Sequence, residues 1–220
     1  MTSLTRLVMT RRPLAALPAQ PFSSARGEDT LAGAVDALAL LVDERHAATG
    51  AHASNVADLA GRLAVELGCG PSQSSAIRVA ARLHDVGKVA ISDAILLKPA
   101  SLTDSEWMQM KKHPVIGSDL LSVIPPLRSI APVVRAHHER WDGTGYPDGL
   151  AGEEIPLAAR ILCVADAFDA MVAERPYSLP MPEAAALREV MRCAGTQFDP
   201  RVALALERTC VGHRQLIHQA

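Results

Sequence analysis

The run Ile77-Arg78-Val79-Ala80-Ala81-Arg82-Leu83-His84-Asp85-Val86-Gly87-Lys88 decides how this chain is read. Its first half is apolar and helix-like. Its second half sets an imidazole beside a carboxylate, with an ammonium three residues beyond the carboxylate and Gly87 free to turn the backbone. A His-Asp pair at a helix end is ordinary by itself, because Asp is common at helix termini. The pair gains weight from His52, His113, His137, His138 and Asp166. Each of these stands in a helix-like or helix-edge segment that is otherwise mostly apolar.

Upstream of that run, Leu31, Val35, Leu38 and Leu41-Val42 keep a helical spacing, and a second helix near Gly50 carries His52, Val56, Leu59, Leu63 and Leu67 until Gly68-Cys69-Gly70-Pro71 stops it. A third helix is expected from Ser72, as N-cap, to Asp85. Downstream, residues 89–99 read as a connector, and Thr103-Asp104-Ser105-Glu106 has the form of a capping box opening a helix with Trp107, Met108 and Met110. Helical patterns follow over 115–123, over 127–141 with both His137 and His138, from Pro156 to about Val172, over 182–193 and over 200–207. A glycine- and proline-dense loop, Asp142 to Gly149, separates two of them. No alternating strand pattern of useful length is present, so the expected fold is all-α, a bundle of seven to eight helices.

Bulk properties narrow the function. With 220 residues the chain is one domain, or one domain plus an appendage, long enough to bury roughly 70% of its unfolded surface without a staple. Its 22 Lys+Arg against 24 Asp+Glu give a net charge of −2, which does not suit wrapping a nucleic-acid duplex. Aromatics at 3% argue against a stacking platform for single strands. Cys69, Cys163, Cys193 and Cys210 form no Cys-x-x-Cys pair, and Cys163 reads as a small core residue. No segment is apolar enough to span a membrane. Residues 1–29, with Arg6, Arg11, Arg12, Arg26 and three prolines, are expected to be a basic flexible leader to a domain over 30–220.

Imidazole nitrogens and carboxylate oxygens are donors for Fe, Mn or Zn rather than for soft metals or calcium. Seven such donors (His52, His84, Asp85, His113, His137, His138 and Asp166) suffice for two metals with Asp85 between them, and helical bundles build such centres from ligands on facing helices. Each has an ordinary alternative. His52 reads equally as a surface residue and His113 as a cation at a helix end. Asp166, between Ala165 and Ala167, is harder to dismiss, since a buried carboxylate without a partner is costly.

The same residues resemble a known family. His84-Asp85-Val86-Gly87-Lys88, Lys112-His113-Pro114-Val115-Ile116-Gly117 and His137-His138-Glu139-Arg140-Trp141-Asp142-Gly143-Thr144-Gly145-Tyr146-Pro147 are similar to the HD superfamily of metal-dependent phosphohydrolases, the last run to its HD-GYP branch. Asp166-Ala167-Phe168-Asp169-Ala170 and Arg175-Pro176-Tyr177 fit that branch's C-terminal motif, so the resemblance covers roughly residues 45–208.

The resemblance implies a bacterial cytoplasmic phosphodiesterase that hydrolyses cyclic di-GMP to pGpG or GMP with water activated by two divalent metal ions, Fe or Mn first and Zn second. The metal ligands it implies are the seven donors above, with Asp85 and Lys88 catalytic. It assigns substrate binding to Lys88, Gly145, Tyr146, Pro147 and Arg175. It implies cyclic di-GMP as ligand, and diguanylate cyclases of the GGDEF type or a second copy of the chain as protein partners. Two departures qualify it: Ala48 replaces the Glu of three-metal members, and Ser178 replaces a basic residue after Arg-Pro-Tyr. Competing functions are an HD hydrolase for another nucleotide and a silent signalling module that binds without turnover.

Overall fold

Small and branched apolar side chains recur at three- and four-residue intervals, and the chain answers with helices throughout. The computed structural model describes residues 33–40, 52–174 and 179–217, with side chains to 211. The expected leader over 1–29, Ala48, and Arg175 through Ser178 lie outside the described residues.

Helix α1 covers 33–40. It is followed by α2 (His52–Glu66), α3 (Pro71–Leu83), a 3-10 turn (Val86–Ala90), α4 (Asp93–Leu96), α5 (Asp104–Met110) and α6 (His113–Ser122). A second 3-10 turn (Pro125–Ile130) leads into α7 (Ala131–Arg135), and a third (Gly152–Glu154) precedes α8 (Leu157–Val172), α9 (Glu183–Arg192) and α10 (Pro200–Ile217). Among the described residues there is no strand, only one isolated bridge between Ala194 and Phe198. None of the described helices is long and apolar enough to cross a membrane.

The all-α expectation holds, and the described residues carry ten α-helices, α1 to α10, against an expected seven to eight. One extra helix is the single turn α4 inside the expected connector. The helix expected over 127–141 instead divides into a 3-10 turn and the short α7, which stops at Arg135. Pro125 and Pro126 open that 3-10 turn and Pro132 sits in the first turn of α7, so each proline lies where its missing N–H costs little. Helix α3 starts at Pro71 with Gly70 as N-cap, not at Ser72, because proline suits the first helical position. Gln73 Oε1 then accepts the Gly70 N–H at 3.1 Å. The capping box at Thr103 is present as expected, with Glu106 accepting the Thr103 N–H at 2.7 Å.

The core lies where α2, α3 and α8 meet. Ala60, Ala64, Ala80, Ala81, Ala159 and Ala165 are fully buried there and let the helix axes approach, while Leu63, Leu83, Ile161 and Leu162 fill the space between. Beneath α10, the Arg160 guanidinium donates to Asp199 Oδ2 at 2.6 Å with both side chains buried. Asp199 Oδ1 accepts the Arg201 N–H at 2.8 Å and so caps α10.

One close approach sets the site. A Cβ on Gly87 would stand 2.0 Å from the His113 carbonyl oxygen and 2.6 Å from the Gly117 nitrogen. Gly117 in turn faces the Gly87 nitrogen and Val134. These two glycines let the turn after His84-Asp85 lie directly on the first turns of α6, which brings His113 to Asp85.

Candidate metal centre

Two helix C-terminal ends and one helix start deliver three imidazoles, His113 being the first residue of α6. His84 follows α3, His113 follows α5 by a short turn, and His137 follows α7. In each the Nδ1–H donates to a backbone carbonyl three residues back: His84 to Ala81 at 2.7 Å, His113 to Met110 at 2.9 Å, His137 to Val134 at 2.6 Å. A carbonyl can only accept, so Nδ1 carries a proton in all three, and in the neutral imidazole Nε2 is then the nitrogen with the bare lone pair. His113 Nε2 and His137 Nε2 stand 3.3 Å apart. Two acceptors that close share no proton. The arrangement needs an electron-pair acceptor, and that is what a divalent cation offers.

Asp85 occupies the middle. Its Oδ1 lies 3.3 Å from His113 Nε2, and its Oδ2 lies 3.4 Å from His84 Nε2 and 2.6 Å from Lys88 Nζ. Asp166 Oδ1 is 3.3 Å from His52 Nε2 and 3.9 Å from His84 Nε2. The donors fall into two groups of three, His52-His84-Asp85 and His113-His137-His138, each with ligand atoms within 4.8 Å of one another. Asp166 adjoins the first group through His52 and His84, so the described residues bring all seven expected donors together, and the nitrogen- and carboxylate-rich set fits a transition metal or zinc.

The electrostatics follow from burial against pairing. Burial pushes His113 down to about 4, with the Asp85 carboxylate opposing it. Burial likewise holds His137 and His138 below the usual imidazole range. Neutral imidazole is the form that ligates. Asp85 is held well below the carboxylate range: burial opposes its charge, but Lys88, His84, His113 and His137 outweigh it. His52 goes the other way, to about 9, because hydrogen bonds to Asp166 and Asp169 overcome burial.

Asp169 is a residue the sequence reading did not single out. One helical turn beyond Asp166, it is buried and accepts the His52 Nδ1–H at 2.5 Å, which aims His52 Nε2 at the centre. Glu139 was also missed. It is buried, and its Oε1 accepts the backbone N–H groups of Asp148 (2.7 Å) and Gly149 (3.1 Å), tying down the far end of the Gly-Tyr-Pro loop. Asp142 secures the near end by accepting the Thr144 N–H and hydroxyl. Gly145 is explained by packing, since a Cβ there would stand 2.4 Å from the Arg140 nitrogen. The Tyr146–Pro147 peptide is cis. Tyr146 packs at 4.9 Å between ring centroids from His138, and burial pushes its hydroxyl pKa above the ordinary value, so it stays protonated. Lys88 is on the central carboxylate rather than free, and Arg175 lies outside the described residues. Cys163 is half-buried at the edge of the core rather than within it, and burial pushes its thiol up to about 12.

His137 and His138 correct one expectation. They do not share a regular helix, because α7 ends at Arg135 and the chain turns through both. Their rings lie 4.0 Å apart between centroids, both toward the centre.

A helical bundle carrying a central His-Asp pair among converging histidines defines a class. This chain belongs to the HD domain family, whose model matches residues 36–202. It is 44% identical over 180 residues to a cyclic di-GMP phosphodiesterase of Thermotoga maritima, covering 81% of this chain and 49% of that one. It is 45% identical over 173 residues to the cyclic di-GMP phosphodiesterase response regulator RpfG of Xanthomonas campestris, covering 78% and 46%. The chain spans about half the length of these curated relatives. The crystal structure of a cyclic GMP-AMP specific phosphodiesterase of Vibrio cholerae shares the fold, with a TM-score of 0.63 at 18% identity, covering 83% of this chain and 48% of that one.

Proposed function

We propose that this chain is a cyclic di-GMP phosphodiesterase holding two divalent metal ions. The observation that carries the reading is the pair of three-donor groups joined at Asp85, with Lys88 on the joining carboxylate. The names of the relatives supply the substrate class. His52, His84 and Asp166 would hold one ion, His113, His137 and His138 the other, and Asp85 both. When bound, the ions supply Lewis-acid polarisation of a phosphodiester and acidify water.

The chain's own residues do the rest. Lys88 fixes the Asp85 carboxylate and adds positive charge where negative charge develops on the phosphoryl oxygens. Tyr146, protonated at neutral pH and seated beside His138, donates a hydrogen bond to the substrate. Glu139 and Asp142 hold the loop that places it. Arg175 is assigned the second phosphate contact.

The test is anaerobic purification, metal quantification per chain, and chromatography of the products from cyclic di-GMP. Two ions with pGpG or GMP appearing supports the reading, and His84→Ala with Asp85→Ala should remove both metal and turnover. Two ions without product from any cyclic dinucleotide would make the chain a binding module instead.

A further inference from the structure

Outside the ligand set, the mouth of the centre carries an aromatic pair in a chain with few aromatics. Trp107, on α5, is 44% exposed. Its ring meets Tyr146 edge to face, with centroids 6.5 Å apart and planes at 74°. Just past the end of α5, the Lys111 ammonium lies 5.9 Å from the Trp107 centroid and 5.8 Å from that of Tyr146. No carboxylate among the described residues pairs with that ammonium. Tyr146 links the group to the centre through His138. Helix α5 itself is pinned by its capping box and by Lys98, which donates to Glu106 at 2.6 Å.

An exposed tryptophan face, a tyrosine set edge-on against it and a cation beside both rings offer a sequence-tolerant stacking site with a directional donor. Given the phosphodiesterase reading, on which this inference rests, we propose that Trp107, Tyr146 and Lys111 form a guanine-reading subsite at the mouth of the metal centre. Stacking on Trp107 accepts any purine. Lys111 makes the choice, because an ammonium only donates. Guanine offers two acceptors, O6 and N7, on one edge, whereas adenine sets its N6 donor beside N7. Trp107 therefore governs affinity and Lys111 governs selectivity.

The experiment titrates the metal-loaded full chain calorimetrically with 5′-GMP and with 5′-AMP, for the natural sequence, Trp107→Ala, Trp107→Phe and Lys111→Met. The natural chain should prefer GMP. Trp107→Ala should weaken both nucleotides about tenfold, and Trp107→Phe should recover most of that loss. Lys111→Met should weaken GMP while leaving AMP within about twofold, erasing the preference. Trp107→Ala without effect, or Lys111→Met weakening both nucleotides alike, overturns the subsite.

A parallel measurement on cyclic di-GMP should show KM rising with Trp107→Ala while kcat holds. If the natural chain cleaves no cyclic di-GMP yet the nucleotide pattern holds, the phosphodiesterase reading falls and the subsite stands. If turnover is present and both nucleotides ignore the substitutions, the subsite alone falls.

Discussion

Replacing Gly87 with alanine tests how the centre is assembled. The new Cβ would stand 2.0 Å from the His113 carbonyl oxygen, and all three atoms crowding it belong to the backbone of α6. Ordinary contact begins near 3.4 Å, so the turn after Asp85 and the start of α6 must part by about 1.4 Å. Metal–ligand distances tolerate only about 0.2 Å. The shift therefore separates His113 from Asp85, now 3.3 Å apart, well beyond what one cation can span. Overpacking of this kind costs about 1–3 kcal/mol in the metal-free protein. Gly70→Ala is the matched control, since a Cβ there meets nothing within 4 Å. Gly87→Ala should lose at least one cation per chain by elemental analysis and unfold at lower urea than the control. If it kept its full metal content and unfolded within about 0.5 kcal/mol of the parent, the close approach of these two segments would not be what sets the ligand geometry.

Asp169→Asn keeps the shape beside His52 but removes the charge, and should weaken metal binding about 10- to 100-fold in a chelator competition. Lys88→Ala should retain its metal while losing rate or affinity; metal loss instead would make Lys88 structural. The metal-stripped protein should be most stable near pH 6.5, by urea unfolding across pH. His113, folded near 4, refuses protons that the unfolded chain takes below pH 6.5, so its neutral burial costs about 3 kcal/mol as pH falls toward 4. His52, folded near 9, gives the opposite slope: its stabilisation of about 3 kcal/mol is fully present below pH 6.5 and disappears as pH rises through 9. A flat profile between pH 5 and 9 would contradict both.

The candidate donors stood out in the sequence chiefly where they break an apolar pattern, as Asp166 does between two alanines. The groups behind the donors were less so. Asp169 lies three residues after Asp166, a spacing that puts both on one helix face, but nothing in the sequence says that His52 comes back from over a hundred residues away to meet it. Glu139 looks like any loop-edge acid until the loop returns with two unpaired N–H groups for it. The count of aromatics spoke only to a platform for single strands, and an average cannot register that Trp107 and Tyr146 become neighbours. The helix expected through His137 and His138 failed because the apolar run Val133-Val134 was extended past the residue where α7 stops.

The carbonyl clamps behind His84, His113 and His137 have a consequence for how the protein acquires its ions. Each clamp closes within three residues of its own imidazole and needs nothing from the cation. The scaffold can therefore release one ion and take another without refolding, with its imidazoles already turned and in the right tautomer. Such a socket gauges donor chemistry more than identity, and iron, manganese and zinc all satisfy it. If the proposed two-metal centre holds, the same polypeptide is expected to take whichever of these ions is supplied at loading.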